Sequence, residues 1–496
     1  MLFRSGDLHP HVSAIPFALL FASLGWNFFN LRDSELSIRG LYTYATVAAM
    51  ALTLGGLAFT NLWDAPTYMA LLVGLVALKA FRVGYADISL PRWLTRDYES
   101  SLRVRSQVAV ALFIRRLALF PVTVIGLAFV LYLPYYISFS GSVSGIAAVT
   151  TPTRYPHLLL VWGVPLVLVV PFVVSAFWET RVRPDWRRTA LYALAVGFLP
   201  YVAWLVLRLQ TVGNSESAVG RLVHIFPLAV LISMSVWSAI SLARERGSNA
   251  RTFALLLATL GLLLIMGPEL LLVDDSFGPP SERMNTVFKL YYQAWVLLAA
   301  ASGFAIYYWL SARGVLVGWK RSMSTVWAAV AIVLLVASLY YPAAAAATKS
   351  NFFNGEPTLD GLDFVRSRGG GEYAAIEYVK DNVRPGSGIV EAVGEWFDAG
   401  LISRSTGVPT VLNWPGHQLQ WRGSAGPFDG READIARIYE TEDPLEARNL
   451  LAKYDVDYVY VGPRERSKHG VVPLENFEDF LEVFRQDDVA IYKVRE

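Results

Sequence analysis

Long apolar runs separated by short polar joints dominate the first part of the chain. They recur near residues 12–30, 41–60, 66–82, 117–137, 157–178, 189–208, 222–243, 252–273, 288–310 and 325–347. Each run is long enough to cross a ~30 Å hydrocarbon layer as a helix. From about Asn351 the texture changes to mixed charged and apolar segments. EYAAIEYVKDNV and EARNLLAKY carry a helical period, whereas SGIVEAV, VDYVYVG and VAIYKV are strand-like. The pattern predicts an α-helical polytopic membrane bundle of roughly ten spans, followed by a small α/β domain. The expected division is a strip at 1–11, a transmembrane helical domain at 12–348 and an α/β domain at 349–496.

The joints between runs alternate in charge. Arg32 and Arg39, then Arg82, Arg92, Arg96, Arg103, Arg105, Arg115 and Arg116, then Arg181, Arg183, Arg187 and Arg188 fall in every second joint. Arg244, Arg246 and Arg251, then Arg313, Lys320 and Arg321 continue the series. Basic short loops favour the cytoplasmic side. The N-terminal strip, the NLWDAP turn, the 138–156, 209–221 and 273–287 loops and the C-terminal domain are therefore expected on the outer face of a multi-pass plasma-membrane protein. No cleavable signal peptide is visible at the start. Residues 1–5 read as non-native, and further spans are expected upstream.

Composition narrows the class. The chain has 496 residues, 54% hydrophobic and only 17% charged, below the ~25% charged residues of soluble domains. Fifteen Trp, 24 Tyr and 27 Phe suit a chain with two membrane interfaces. With 43 basic and 41 acidic residues the net charge is +2, so nucleic acid is not an expected partner. Without cysteine there is no disulfide or thiolate chemistry, and any metal would need His and carboxylate ligands.

Four groups of polar residues stand out against the apolar background. In GDLHPH, Asp7, His9 and His11 would project to one side of an extended strip, a set that can hold a divalent ion such as Mg or Mn or pair a base with its orienting partner. The plainer alternative has Asp7 capping the first helix. In NLWDAP, Asp64 either caps the helix that follows or takes part in catalysis. The third group is the richest: Glu269 near the end of a span, then Asp274, Asp275, Glu282 and Arg283, then Asn285, Lys289 and Tyr292 on one helical face. A lysine one turn inside a span either snorkels or meets an anion. In the C-terminal domain Asn413, Trp414, His417, Gln420, Trp421 and Arg422 lie in a Gly/Pro-broken stretch. Their rings and donors suit a sugar or phosphate, or else pack on the membrane domain. His417, Trp421 and Arg422 are expected to fold over the membrane face, held by an apolar strand at Pro409–Leu412. Phosphate-loop, HExxH and GxSxG motifs are absent.

Several of these segments together resemble the "YYY" family of archaeal and bacterial polytopic membrane proteins. They are GDLHPHVSAIPFALL, NLWDAPTY, LYLPYYISFSG, SERMNTVFKLYYQAW, YPAAAAATKS, TLDGLDFV, EYAAIEYV and TGVPTVLNWPGHQLQWRG. Members of that family begin with further spans and a tyrosine triplet that this chain lacks. Before the Arg-Met-Asn run the family tends to show Glu, an aromatic and Arg-Asp. Here Glu269 and Asp275 keep the spacing, with Leu272 and Asp274 between them and Pro279-Pro280 lengthening the loop.

The family is similar to membrane glycosyltransferases of the GT-C type. The resemblance implies transfer of a sugar from a polyprenyl-phosphate or polyprenyl-diphosphate donor to a glycan or protein acceptor on the outer face. Asp7 or Asp64 would serve as base; Glu269, Asp275, Arg283, Asn285, Lys289, Tyr292, His417, Trp421 and Arg422 would bind substrate, with Arg283 and Lys289 on the departing phosphate. Rival classes are a transporter or flippase of lipid-linked sugars and a noncatalytic envelope assembly protein.

Overall fold

The computed structural model describes residues 10–31, 41–83, 119–139, 143, 145–182, 186–209, 217–245, 248–275, 278, 281–312, 317–355, 357–384, 386–395, 398–422, 424–471, 474 and 477–495. Among the described residues each of the ten apolar runs forms helix over most of its length. Eight of these helices are long and apolar enough to cross a membrane: Pro10–Asn30, Leu62–Arg82, Tyr155–Thr180, Trp186–Arg208, Ala218–Ala243, Asn249–Leu270, Met284–Ser311 and Trp319–Lys349. The other two runs appear as shorter apolar helices at Tyr44–Thr60 and Leu119–Leu131. The chain is thus a polytopic helical membrane protein with a small α/β part.

By Cα packing the chain divides into two compact units, one formed by residues 1–139 and 144–352 and the other mainly by 353–496. In the first, lipid-like side chains cannot drive helices together by burial alone, and close approach at small residues helps instead. At Gly197 a Cβ would lie 2.6 Å from the Ala229 carbonyl oxygen, so the 186–208 and 218–243 helices touch there backbone to backbone. At Gly261 it would meet Leu298 at 2.6 Å, and the 249–270 and 284–312 helices pack closely at that point.

One departure from the sequence pattern matters for the site. The 252–273 run does not stay helical: the helix ends at Leu270, and Leu271–Asp274 forms strand β2. It pairs antiparallel with β1, Gly145–Ala148. Pro268 lies at the helix's end, and the Val149 amide takes the Leu270 carbonyl at 2.8 Å. This ribbon holds the 149–154 segment across one end of the bundle, where Trp204 Nε1 donates to the Val149 carbonyl at 3.1 Å.

The opposite end is fastened differently. The buried Lys79 ammonium donates to the Phe28 and Leu31 carbonyls at 2.9 and 2.7 Å. Arg82 donates to Phe29 O and Asn249 Oδ1. These cations satisfy the open carbonyls at the C-terminus of the first helix, where the dipole also favours positive charge. Arg82 and Arg251, from the basic joints, thus lie at the bundle end away from Asp64 and Glu269.

In the second unit β3 (Ile389–Val390), β4 (Tyr458–Val461), β6 (Val489–Val494) and β5 (Phe480–Gln486) form one sheet in the order β3-β4-β6-β5, with only the β3–β4 pair parallel. Side chains alternate across a strand. Val459, Val461, Ala490 and Tyr492 accordingly face one apolar cluster with Ile435, Ile438 and Leu451. Tyr458, Tyr460, Val489 and Ile491 face another with Val365, Ile376 and Val379. Helices therefore cover both sheet faces, which is why YVYV is buried throughout. The 409–413 segment is not a strand, although its Pro409 and Asn413 carbonyls accept from Ile389 N and Gly394 N.

Candidate functional site

The helix Met284–Ala312 carries two polar groups on two of its sides, and both lie at the bundle end that holds the NLWDAP turn and the β1–β2 ribbon. On one side Arg283, just before the helix, and Tyr291, two turns in, meet Glu269. That carboxylate is fully buried. It accepts from Thr153 N and Thr153 Oγ1, both at 2.7 Å, from Tyr291 OH at 3.3 Å and from Arg283 at 3.1 Å. His224 Nε2 stands 3.4 Å away. Arg283 also donates to the Thr151 and Pro268 carbonyls. Arg221, fully buried, donates to the carbonyls of Glu269, Val149 and Thr150.

A buried carboxylate is tolerated when its charge is paired and its lone pairs are filled. Glu269 meets both conditions within the chain. Together with Arg221 and Arg283 it ties the 149–153 segment to the end of the 249–270 helix. Sequence reading placed Glu269 and Arg283 with the ligand; the geometry gives them protein partners. Nothing in the sequence singles out Thr153, only the scarcity of arginine in these joints marks Arg221, and His224, which the sequence suggests is interfacial or structural, stands beside this tie.

On the other side of the same helix Lys289, Tyr292 and Gln293 face the turn before the third helix. Leu62–Asp64 is a single 3-10 turn, and the helix Ala65–Val83 starts directly after it. Asp64 is completely buried. Asn61 Nδ2 donates to its Oδ1 at 2.7 Å, and its Oδ2 has no hydrogen-bond partner. Lys289 and Gln293 are the other side chains acting on this carboxylate, and Tyr68 and Tyr292 lie within Coulombic reach of it. Asp64 thus shares its surroundings with a cation and a cluster of neutral polar groups, while its hydrogen bond from Asn61 stays within its own turn.

Lys289 is half-buried, its ammonium 5.5 Å from the Phe288 ring centre. His11 stands edge-on to Phe288 and to Tyr292, with ring centres 4.8 Å apart in each case. Helical spacing would have found the two residues that sequence reading missed here. Tyr68 is four residues after Asp64, and Gln293 is four after Lys289.

The remaining expected residues fall elsewhere. Asn285 Nδ2 donates to Asp275 Oδ2 at 2.8 Å, closing the 275–285 connection. Asp7 and His9 lie outside the described residues. The first helix begins at Pro10, so His11 is on a helix and not on an extended strip. Among the described residues no three His, Asp or Glu side chains stand close enough to hold a metal ion.

In the second unit the Gly/Pro-broken stretch folds as an eight-residue helix, Pro415–Arg422. His417 stacks on Trp414 with ring centres 5.0 Å apart, and this cover pushes its imidazole below the usual histidine range. Arg422 Nε donates to Gln418 Oε1 at 2.7 Å within the helix that also carries Trp421.

The model of the uncharacterized membrane protein family DUF2298 matches residues 2–298. The chain belongs to the DUF2298 family. The matched stretch holds Asp64, Glu269, Arg283 and Lys289, so both polar groups belong to the DUF2298 portion, and the α/β unit lies beyond it. No curated protein and no solved structure matches the chain.

Proposed function

We propose that this DUF2298 protein is a membrane glycosyltransferase that moves a sugar from a polyprenyl-(di)phosphate donor to an acceptor hydroxyl, with Asp64 as base and Lys289 on the departing phosphate. The observation that carries the reading is a fully buried carboxylate with one oxygen unpartnered and a half-buried lysine within Coulombic reach of it, at one end of a membrane bundle. A carboxylate with an open oxygen can take a proton from a positioned hydroxyl. The freed oxygen attacks the sugar's anomeric carbon from the face opposite the departing phosphate. The bond from that carbon to the phosphate oxygen breaks, and the phosphate leaves with the electron pair. The ammonium of Lys289 offsets the charge that develops there.

Lys289 takes this role alone. Arg283, the other cation of the RMNTVFK run, is occupied by Glu269 and by backbone carbonyls. The alternation of basic joints supports an orientation in which this end of the bundle faces outward from the plasma membrane, where lipid-linked donors present their sugars after translocation.

The test is single-turnover transfer by the purified full chain in nanodiscs, with radiolabelled polyprenyl-phosphate sugars and a glycan acceptor mixture. Asp64→Asn should abolish transfer while leaving donor binding, and Lys289→Met should weaken donor binding. Transfer that survives Asp64→Asn at the wild-type rate would remove Asp64 as base.

A further inference from the structure

Two spans open on the same kind of triplet. Trp186-Arg187-Arg188 begins the 186–208 helix and Trp319-Lys320-Arg321 the 319–349 helix, and all six side chains are exposed. A third aromatic–basic pair closes the 155–180 helix, where the Arg181 guanidinium lies 3.7 Å from the Trp178 ring centre. The three pairs belong to the bundle end away from Asp64. Glu179, two residues before Arg181, accepts there from Arg251 at 2.6 Å and from Tyr308 at 2.8 Å. Trp309, next to Tyr308, stands 5.7 Å from Trp327, eight residues from the start of the 319–349 helix.

Folding does not account for these cations. Among the described residues no carboxylate pairs with Arg187, Arg188, Lys320 or Arg321. Neither helix has an acid in its first turn, and positive charge in a first turn opposes the helix dipole. Other cations of this end are used inside the chain: Lys79 and Arg82 donate to carbonyls of the first helix, and Arg251 to Glu179. Orienting the chain requires basic residues in the joint, but not their place beside tryptophan at the mouth of a span.

The surface below the triplets identifies what they meet. Of the eight long spans these two have the smallest share buried inside the chain. Leu191 and Leu194 on one, and Met323 and Val326 on the other, are exposed within about two turns of the cations. An anion held there is therefore continuous with an apolar body lying along the helix. A soluble acidic protein would leave that apolar flank uncovered. An anionic phospholipid covers both parts, with its phosphate on the cations, the indole rings at headgroup level and the acyl chains on the flank.

We propose that Arg187-Arg188 and Lys320-Arg321, each beside its tryptophan, are binding sites for anionic phospholipid at this end of the bundle. Zwitterionic lipid carries its own cation beside the phosphate and is disfavoured where two basic side chains already stand. The proposal does not depend on the transferase reading.

The chain has no cysteine, so one fluorophore can be attached at a chosen place. Val182→Cys, beside Arg181, and Ser322→Cys, beside Arg321, report the two sites. Ile137→Cys reports the opposite end, where Tyr135 meets Phe59. Each labelled full chain is placed in phosphatidylcholine nanodiscs, with nitroxide-labelled phosphatidylglycerol or phosphatidylcholine as quencher. Phosphatidylglycerol should quench at Val182 and Ser322 at about fivefold lower mole fraction than phosphatidylcholine, the scale of one basic residue at an anionic membrane surface. The two lipids should quench alike at Ile137. Lys320→Gln with Arg321→Gln should bring the Ser322 site to parity, and Arg187→Gln with Arg188→Gln should narrow the difference at Val182. Without any substitution, about 1 M sodium chloride should narrow both, because the Debye length falls to about 3 Å. Equal quenching by the two lipids at Val182 and Ser322 would overturn the proposal. So would a phosphatidylglycerol preference that is as large at Ile137, or one that outlasts the substitutions in chains that melt like the parent.

Discussion

If Glu269 is a tie and not a substrate ligand, weakening it must cost stability in a way that depends on Arg283. Glu269→Gln is the informative change, because it keeps the volume and removes the charge. The native carboxylate fills one oxygen with Thr153 N and the other with Thr153 Oγ1, Arg283 and Tyr291. Glutamine has one acceptor oxygen, so either the Thr153 amide or the Arg283 guanidinium faces an NH2 group. Breaking one side of a buried ion pair costs about 3–5 kcal/mol. The pair here is 0% and 18% exposed at its side chains, so the lower part of that range is expected.

Arg283→Met keeps the apolar stem, and the double variant should recover part of the loss, because no lone charge is left inside. A coupling of about 1.5–3 kcal/mol is expected, the worth of a hydrogen bond to a charged group. The assay is reversible unfolding of the four chains in mixed micelles, read alongside thiol labelling of Thr151→Cys in this cysteine-free background. Labelling should accelerate in Glu269→Gln, because the 149–153 segment is what the carboxylate holds. Strictly additive losses with unchanged labelling would refute the tie and return both residues to the ligand.

Four further outcomes follow from the geometry. Lys289→Met should cost about 1.5–3 kcal/mol of donor affinity, measured by equilibrium binding of a polyprenyl phosphate, with little change in melting, because Met preserves the stem. Gly197→Ala should destabilise the bundle by about 1–3 kcal/mol in the same unfolding assay, since its Cβ would press on the Ala229 backbone, which cannot step aside. Burial holds the Glu391 and Glu465 carboxyls above the ordinary glutamate range. The unfolded chain ionises them first, so the α/β unit should lose stability as pH rises through and above that range and regain it on acidification; Glu465→Gln should flatten this slope in hydrogen exchange of the β4 amides. Single cysteines at Lys468 and Arg187 should report orientation, an impermeant thiol reagent on intact cells labelling only the first.

The bundle itself was legible in the chain, because a run of about twenty apolar residues has one stable solution in a bilayer, a helix. For the same reason the switch to short alternating and helical segments near Asn351 marks a second unit in the sequence itself. Strand β5 escaped notice because FLEVFRQ is mostly exposed on its outer face and lacks a clean alternation. Pro415–Arg422 read as a broken loop because proline and glycine at the first turn of a helix look locally like a turn.

Within the site, residue type drew attention to Asp64, Glu269, Arg283 and Lys289, since ionisable groups near membrane depth are costly unless paired or used. Which of them is paired and which is open could not be read from spacing. Arg283 and Lys289 lie six residues apart, just before and on one helix, yet Arg283 is held by Glu269 while Lys289 lies within Coulombic reach of Asp64, 225 residues earlier. Only the packing of helices brought by distant parts of the chain decides that, because the partner of a buried charge is set by which helix lies alongside it.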